Sequence, residues 1–409
     1  MQAEEQAELN TQADRYAIRT DRKEVQEKPS AATAQKKKKR KQLPVYEHAE
    51  RLSVLAERLP SWYRENKRML PWRDTGNPYD VWLSEIMLQQ TRVEAVKSYF
   101  LRFREALPGI QSLADCPEER LLKLWEGLGY YSRVRNLQRA ARELVEQYGG
   151  KLPCRKEALL KLPGIGSYTA GAIASIAYGQ RETAVDGNVL RVAARVCGNG
   201  QDIALPETKQ ALEQALMRYL PEKDCGTFNQ ALMELGAIVC VPNGEPLCGR
   251  CPVREQCAAF REGMTGQLPV KSAKKPRRIE PHTVFLLQNG DRFLIQKRPG
   301  KGLLAGLWEL PSAPGHLTET EALQFVRAAG YEPLHMEALP AAKHIFTHVE
   351  WQMTAYRLRL PADDRPRMLN AFAERAGLKE TQFVFAAAEE LRSVYALPSA
   401  FSAYLDLIR

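Results

Sequence analysis

Leu162-Pro163-Gly164-Ile165-Gly166 is the segment that most constrains this chain, because it stops one helical pattern and opens the way to another. Pro163 removes a backbone donor and the two glycines permit positive φ, so a helix cannot run through it. Ser167 is expected to cap the helix that follows, Tyr168 to about Tyr178. The amides of Gly164, Ile165 and Gly166 are then expected to lie bare at a helix N-terminus, where backbone donors and the helix dipole favour a phosphate. Asp186 stands alone before the next helical pattern, Gly187 to about Val196, and the positive end of that dipole is expected to keep it ionised. A carboxylate close to a phosphate seat should repel a polyanion, which asks for a chemical role.

The 409 residues leave room for two or three domains, and an apolar fraction of 44% is ample for globular cores. A formal net charge of +10 favours a polyanionic partner, although an acidic membrane surface suits it equally. Residues 1–44 hold 11 basic and 7 acidic side chains without apolar periodicity, and are expected to form a disordered basic tail. Its run Lys36-Lys37-Lys38-Lys39-Arg40-Lys41 fits a solvated tether or a nonspecific DNA contact. No apolar segment is long enough to span a bilayer and the polar start lacks a signal-peptide core, so the expectation is a cytoplasmic protein, monomeric by default.

Half of the eight cysteines, Cys240, Cys248, Cys251 and Cys257, fall within 18 residues. In a reducing compartment such clustering argues for metal ligation, and four thiolates suit a [4Fe-4S] cluster or a structural zinc. Spacing alone leaves the metal open. Cys116, Cys154, Cys197 and Cys225 are scattered through helical patterns and read as small buried residues.

Helical periodicity dominates residues 47–239, with breaks at Leu70-Pro71, Pro108-Gly109, Gly149-Gly150, Pro163-Gly164 and Leu205-Pro206. Within it, Asp80 to Gln90 reads as a capped helix in which Glu85 is flanked by large apolar side chains. Burial there would raise its pKa and keep a proton available, as a general acid requires. A basic linker, 271–280, precedes a change to strand-like runs at Thr283 to Leu287, Arg292 to Lys297 and Val349 to Leu360, with Gly290-Asp291 as a hairpin turn. A helix from about Glu319 to Ala329 separates them.

The glycine hairpin followed by Asp186 resembles the helix-hairpin-helix superfamily of DNA base-excision glycosylases. That superfamily often ends its helical domain with Cys-x6-Cys-x2-Cys-x5-Cys around a [4Fe-4S] cluster. The first gap here, Val241 to Leu247, is one residue longer, which a turn at Pro242-Asn243-Gly244 can absorb. The resemblance therefore favours iron, with the cluster bracing a basic loop around Arg250 and Arg254 against phosphate.

Between about residues 50 and 260 the likeness narrows to the MutY-type adenine DNA glycosylases, which remove adenine mispaired with 8-oxoguanine in double-stranded DNA. It is carried by Leu70-Pro71-Trp72-Arg73, Asn77-Pro78-Tyr79, Leu83 to Thr91, Gly127-Leu128-Gly129-Tyr130-Tyr131, Asp186-Gly187-Asn188 and Asn229-Gln230-Ala231-Leu232. The resemblance implies that Glu85 protonates N7 of a flipped adenine and that Asp186 stabilises the positive charge growing on C1′ or bonds to it transiently. It assigns Asn188 and Tyr168 to orienting them, and Trp72, Arg73, Leu88 and Gln230 to the adenine pocket. Gln90, Thr91, Leu128 and Tyr130 match positions facing the opposite 8-oxoguanine, Tyr130 as a wedge in the stack. Lyase-competent relatives carry a lysine where this chain has Tyr168, so strand cleavage of the endonuclease III type is not expected.

Phe293 to Arg298, followed by Gly306 to Pro311, resembles the Nudix fold. Where that family's catalytic helix carries paired glutamates, this chain has Leu323-Gln324-Phe325-Val326-Arg327-Ala328-Ala329-Gly330, so the domain is expected to bind without hydrolysing. In the 8-oxoguanine-sensing domain of the same glycosylases the recognition loop usually reads Phe-Ser-His. Here it reads Phe346-Thr347-His348, where the threonine keeps the hydroxyl and adds a methyl group. The expected fold is multidomain: an all-α helix-hairpin-helix domain, 45–270, with hairpin 162–178 and cysteine loop 240–257, then an α+β Nudix-like domain, 281–409. The competing readings are an endonuclease III-type glycosylase/lyase, a noncatalytic iron-sulfur DNA-binding protein, and a Nudix hydrolase with a DNA-targeting domain.

Overall fold

A computed structural model describes residues 45–273, 276–362 and 383–408. The basic tail, including its lysine run, lies outside the described residues, as do Lys274 and Lys275 of the linker. Among the described residues no helix is long and apolar enough to cross a membrane.

Two hydrophobic cores build the helical half. The first gathers Trp82, Leu83, Ile86 and Met87 of the helix Pro78–Leu88 against Phe100, Phe103, Trp125, Leu137 and Ile173. Leu52, Leu55 and Leu59 organise the second, with Val189, Val192, Leu212, Phe228 and Leu232. The cleft between them receives polar side chains from both sides.

Local chemistry moves several expected boundaries. Asn77, not Asp80, caps the Pro78–Leu88 helix by accepting from the Tyr79 amide at 2.9 Å, with Pro78 in the first turn where its missing donor does no harm. Asp80 instead pairs with Arg104. That helix stops at Leu88, and Gln90 follows with a left-handed φ of 58°. Ser167 is not the cap of the hairpin's second helix either. Gly166 occupies that position, and the Ser167 hydroxyl donates to Glu213 at 3.2 Å. The helix runs from Ser167 to Ala172 and widens into a π turn over Ile173–Ala177, with the Ser175 hydroxyl bonded back to the Gly171 carbonyl at 2.7 Å. Of the scattered cysteines, Cys116, Cys197 and Cys225 are buried as expected, but Cys154 is exposed.

Among the described residues the C-terminal half is a mixed sheet of seven strands, β1 (Arg278–Asn289), β2 (Arg292–Lys297), β3 (Trp308–Glu309), β4 (Ser312–Pro314), β5 (His335–Ile345), β6 (Val349–Arg359) and β7 (Phe383–Ala387), with the main order β3-β2-β1-β6-β5. β1, Arg278–Asn289, pairs in parallel with β6, Val349–Arg359, and antiparallel with β2, Arg292–Lys297, across the expected Gly290-Asp291 turn. The strand thus begins inside the stretch read as linker. β5, His335–Ile345, was hidden in the sequence by Pro340, which falls at a register irregularity between Leu339 and Ala342. Phe346-Thr347-His348 is the turn from β5 into β6. The Glu319–Ala328 helix covers one face through Ala322 and Val326, and its Glu321 closes a capping box with Thr318.

The sheet docks on the helical half by burial and by ion pairs. Leu307 and Ala396 enter the first helical core. Glu119 pairs with Lys297 and accepts from the Trp308 indole at 3.2 Å, while Lys123 donates to the Tyr395 carbonyl at 3.0 Å. The described residues accordingly form one compact unit.

Candidate active site

Glu85 and Asp186 open into one cavity of about 660 Å³ in the cleft between the two helical cores. Glu85 is delivered by the Pro78–Leu88 helix, and Asp186 is the N-cap of the helix Gly187–Cys197. Glu85 is 9% exposed. Burial pushes its carboxyl up to about 7, the nearby Asp186 charge adds to the rise, and a hydrogen bond from Tyr168 and the charge of Arg73 oppose it. The Tyr168 hydroxyl donates to Glu85 Oε2 at 2.5 Å and also lies 3.1 Å from Met233 Sδ.

Asp186 is held by different contacts. Its Oδ1 accepts from the Val189 amide at 2.8 Å, and its Oδ2 from Asn188 Nδ2 at 2.8 Å. Burial pushes this carboxyl above its ordinary value, so the helix terminus does not act alone; the Val189 amide, Asn188 and the Arg191 charge pull it back. Arg191 also donates to Asn188 Oδ1 and to the Gly236 carbonyl, each at 2.8 Å, and through Nε to the Cys240 carbonyl at 2.8 Å. The result is one carboxyl poised to carry a proton beside one supplied with donors suited to its ionised form, the division of labour that acid-assisted cleavage of a glycosidic bond needs.

Trp72, Arg73, Leu88 and Gln230 all line the same cavity, as do Gln90, Thr91 and Gly166. Trp72 packs edge-on against Phe100 with centroids 5.4 Å apart, and Gln230 Oε1 accepts from the Tyr63 hydroxyl at 3.0 Å. Leu128 and Tyr130 do not line it. The Leu128 side chain is buried in the first core, whereas Tyr130 is 45% exposed and its hydroxyl bonds to that of Thr347 on the β5–β6 turn. Thr347 and His348 are exposed, and Phe346 packs against Trp351 at 5.0 Å. The Ile165 amide is not bare: it donates to the Leu162 carbonyl at 3.2 Å.

Sequence reasoning missed Glu234. It is 1% exposed and binds Arg68 Nε at 2.8 Å and Arg73 Nη2 at 2.6 Å. Burial alone would push its carboxyl up, but the hydrogen bonds from both arginines and the Arg73 charge hold it down at about 2. Its signal was available, since Ala231-Leu232-Met233-Glu234-Leu235 sets one carboxylate in an apolar helix just as the Glu85 helix does.

Cys240, Cys248, Cys251 and Cys257 line one small apolar cavity with Val192, Val239 and Phe260. Arg195 Nη1 lies 3.3 Å from Cys240 Sγ. Among the described residues no group of three or more His, Cys, Asp or Glu side chains is arranged around a single metal ion.

A family model described as HhH-GPD superfamily base excision DNA repair protein matches residues 83–222, and a NUDIX domain model matches 283–407. The adenine DNA glycosylase of Mus musculus is 37% identical over 410 residues, covering 83% of this chain and 79% of the mouse protein. That of Buchnera aphidicola subsp. Acyrthosiphon pisum is 31% identical, covering 75% of this chain and 87% of its own length. Among solved structures, a thermostable thymine-DNA glycosylase is 28% identical with a TM-score of 0.47, over 52% of this chain and 98% of its own. The chain belongs to the adenine DNA glycosylase family.

Proposed function

We propose that the chain releases adenine lying opposite 8-oxoguanine, or opposite guanine, in double-stranded DNA, by hydrolysis and without cutting the strand. The observation that supports this reading most strongly is the shared cavity of Glu85 and Asp186 and their unlike surroundings. A purine leaves poorly until its ring is protonated. Glu85, pushed up to about 7, gives its proton to N7 of the extruded adenine as the bond to C1′ lengthens. Asp186, aimed by Asn188 and the Val189 amide, stabilises the cationic sugar. Water completes the reaction at C1′. Tyr168 offers no amine for a Schiff base, so the product is an intact abasic strand.

The opposite base is read by Gln90 and Thr91 of the cavity lining together with Tyr130 and the Phe346-Thr347-His348 turn. The contact between the Tyr130 and Thr347 hydroxyls, from opposite halves of the protein, supports a joint role.

Cys240, Cys248, Cys251 and Cys257 would hold a [4Fe-4S] cluster, since the four thiols line one small apolar cavity and four thiolates suit such a group. Held by these four cysteines, such a cluster would brace the loop bearing Arg250 and Arg254 for phosphate contact. Zinc without iron or sulfide in anaerobically purified protein contradicts this assignment.

The test of the activity is a duplex with a single A:8-oxoguanine or A:G pair. The wild type is expected to produce abasic sites that break only after alkali, and Asp186→Asn to produce none. Strand breaks before alkali, or unchanged adenine release by Asp186→Asn, contradict the reading.

A further inference from the structure

Arg133, in the first turn of the helix Ser132–Tyr148, is only 8% exposed. Both terminal nitrogens of its guanidinium bond neutral acceptors, while the buried Nε has no partner among the described residues. Nη1 donates to the carbonyls of Ile86 at 2.7 Å and Met87 at 2.9 Å, in the last turn of the Glu85 helix. Nη2 donates to the carbonyls of Leu128 at 2.9 Å and Gly129 at 3.1 Å, and to the Thr91 hydroxyl at 3.3 Å. The planar group also lies over the rings of Trp125, 5.3 Å from the centroid, and Tyr130, 5.8 Å away. Burial pulls the guanidinium pKa down to about 10, opposed by Tyr130.

The two segments it joins are both strained. Gln90 has φ 58° and Tyr130 φ 48°, left-handed values that side chains other than glycine rarely adopt. Strained residues persist where their neighbours over-determine them, and here one guanidinium grips the backbone just before each. A planar fork can reach five acceptors on two segments, whereas an ammonium is a point charge that neither stacks nor spans them in this way.

We propose that Arg133 is a specificity-positioning residue, tying the end of the Glu85 helix to the Gly127–Tyr130 loop so that Gln90, Thr91 and Tyr130 meet the opposite base as one preorganised surface. This rests on reading those three residues as contacts to that base. Arg133 itself sits behind the surface and does not touch the reacting atoms. Its loss loosens the geometry on which discrimination between 8-oxoguanine and guanine depends.

The experiment compares single-turnover adenine release from A:8-oxoguanine and A:G duplexes by the full chain, by Arg133→Lys and by Arg133→Gln. The glutamine variant is neutral and avoids burying an ill-satisfied charge. In both variants the rate ratio between the two substrates is expected to fall about tenfold, beyond any slowing common to both. A merely structural role lowers both rates by the same factor, and that result, or an unchanged ratio, overturns the proposal. Failure of both variants to fold assigns Arg133 to stability alone and overturns it too. A wild type with no preference between the two duplexes instead sinks the underlying opposite-base reading before any variant is compared.

Discussion

The Tyr168 hydroxyl donates to Glu85 Oε2 at 2.5 Å, a bond that lowers the pKa of an acid which burial has pushed up to about 7. Tyr168 thereby sets both the aim of the proton and the pH at which it is present. In Tyr168→Phe the opposing bond is lost, so Glu85 titrates at higher pH. The alkaline limb of the single-turnover pH profile is expected to move upward, while the plateau rate falls roughly tenfold as the acid loses its orientation. A limb that stays in place separates Tyr168 from Glu85.

Glu85 and Glu234 make opposite demands on stability. Folding raises the Glu85 pKa, so its stabilising share is complete below the ordinary 4.5 and is lost as pH rises through about 7, amounting to about 3 kcal/mol. Thermal melting of Glu85→Gln is therefore expected to overtake that of the wild type as pH rises from 5 to 8.

Glu234 is held down at about 2, so its contribution is present above 4.5 and lost as pH falls through about 2. Glu234→Gln leaves Arg68 and Arg73 without their carboxylate and is expected to lose about 3 kcal/mol near neutrality, a deficit that narrows in acid. Chemical denaturation at pH 7 and pH 3 checks the sign.

Gly236 lets the helix Cys225–Ile238 lie against Asn188. A methyl group there would come 2.5 Å from Asn188 Cβ and 3.1 Å from its Cα. Gly236→Ala is expected to cost about 1–3 kcal/mol of stability and to slow adenine release by displacing Asn188 from Asp186, without moving the Glu85 limb of the pH profile. Denaturant melts and a pH series separate the two effects.

The Tyr130–Thr347 contact predicts that a hydroxyl at 347 is what matters. Thr347→Ser is expected to keep the wild-type preference for A:8-oxoguanine over A:G, and Thr347→Ala to reduce it by roughly three- to tenfold. Equal ratios in the two variants remove Thr347 from recognition.

The site was legible where one residue type breaks a pattern. Glu85 within an apolar helix and Asp186 before a helix both stand out, and both reach the cavity. Glu234 carried the same signal as Glu85 and was passed over, whereas Arg133 and Arg191 were not found because a buried arginine is recognisable only by the partners that folding supplies from far along the chain. Arg133 binds carbonyls 47 and 46 residues away, a relation no local pattern carries. Caps were misplaced by a few residues for a related reason. Ser167 and Asp80 are good caps in isolation, but Glu213 and Arg104 claim their side chains, leaving the cap positions to Gly166 and Asn77. The strand β5 was lost because Pro340 reads as a breaker, and the sheet absorbs it at an irregularity. Leu128 shows the remaining gap: a motif position fixes a residue in the chain, but the fold turned its side chain into the core and left its carbonyl to Arg133.

The most direct measurement is the single-turnover rate of adenine release against pH for the wild type and Glu85→Gln. If a neutral Glu85 supplies the proton, the wild-type rate falls as pH rises through about 7, and in Glu85→Gln the rate drops roughly 10²- to 10⁴-fold with that limb gone. A wild-type profile flat across this range, or the same limb persisting in Glu85→Gln, contradicts it.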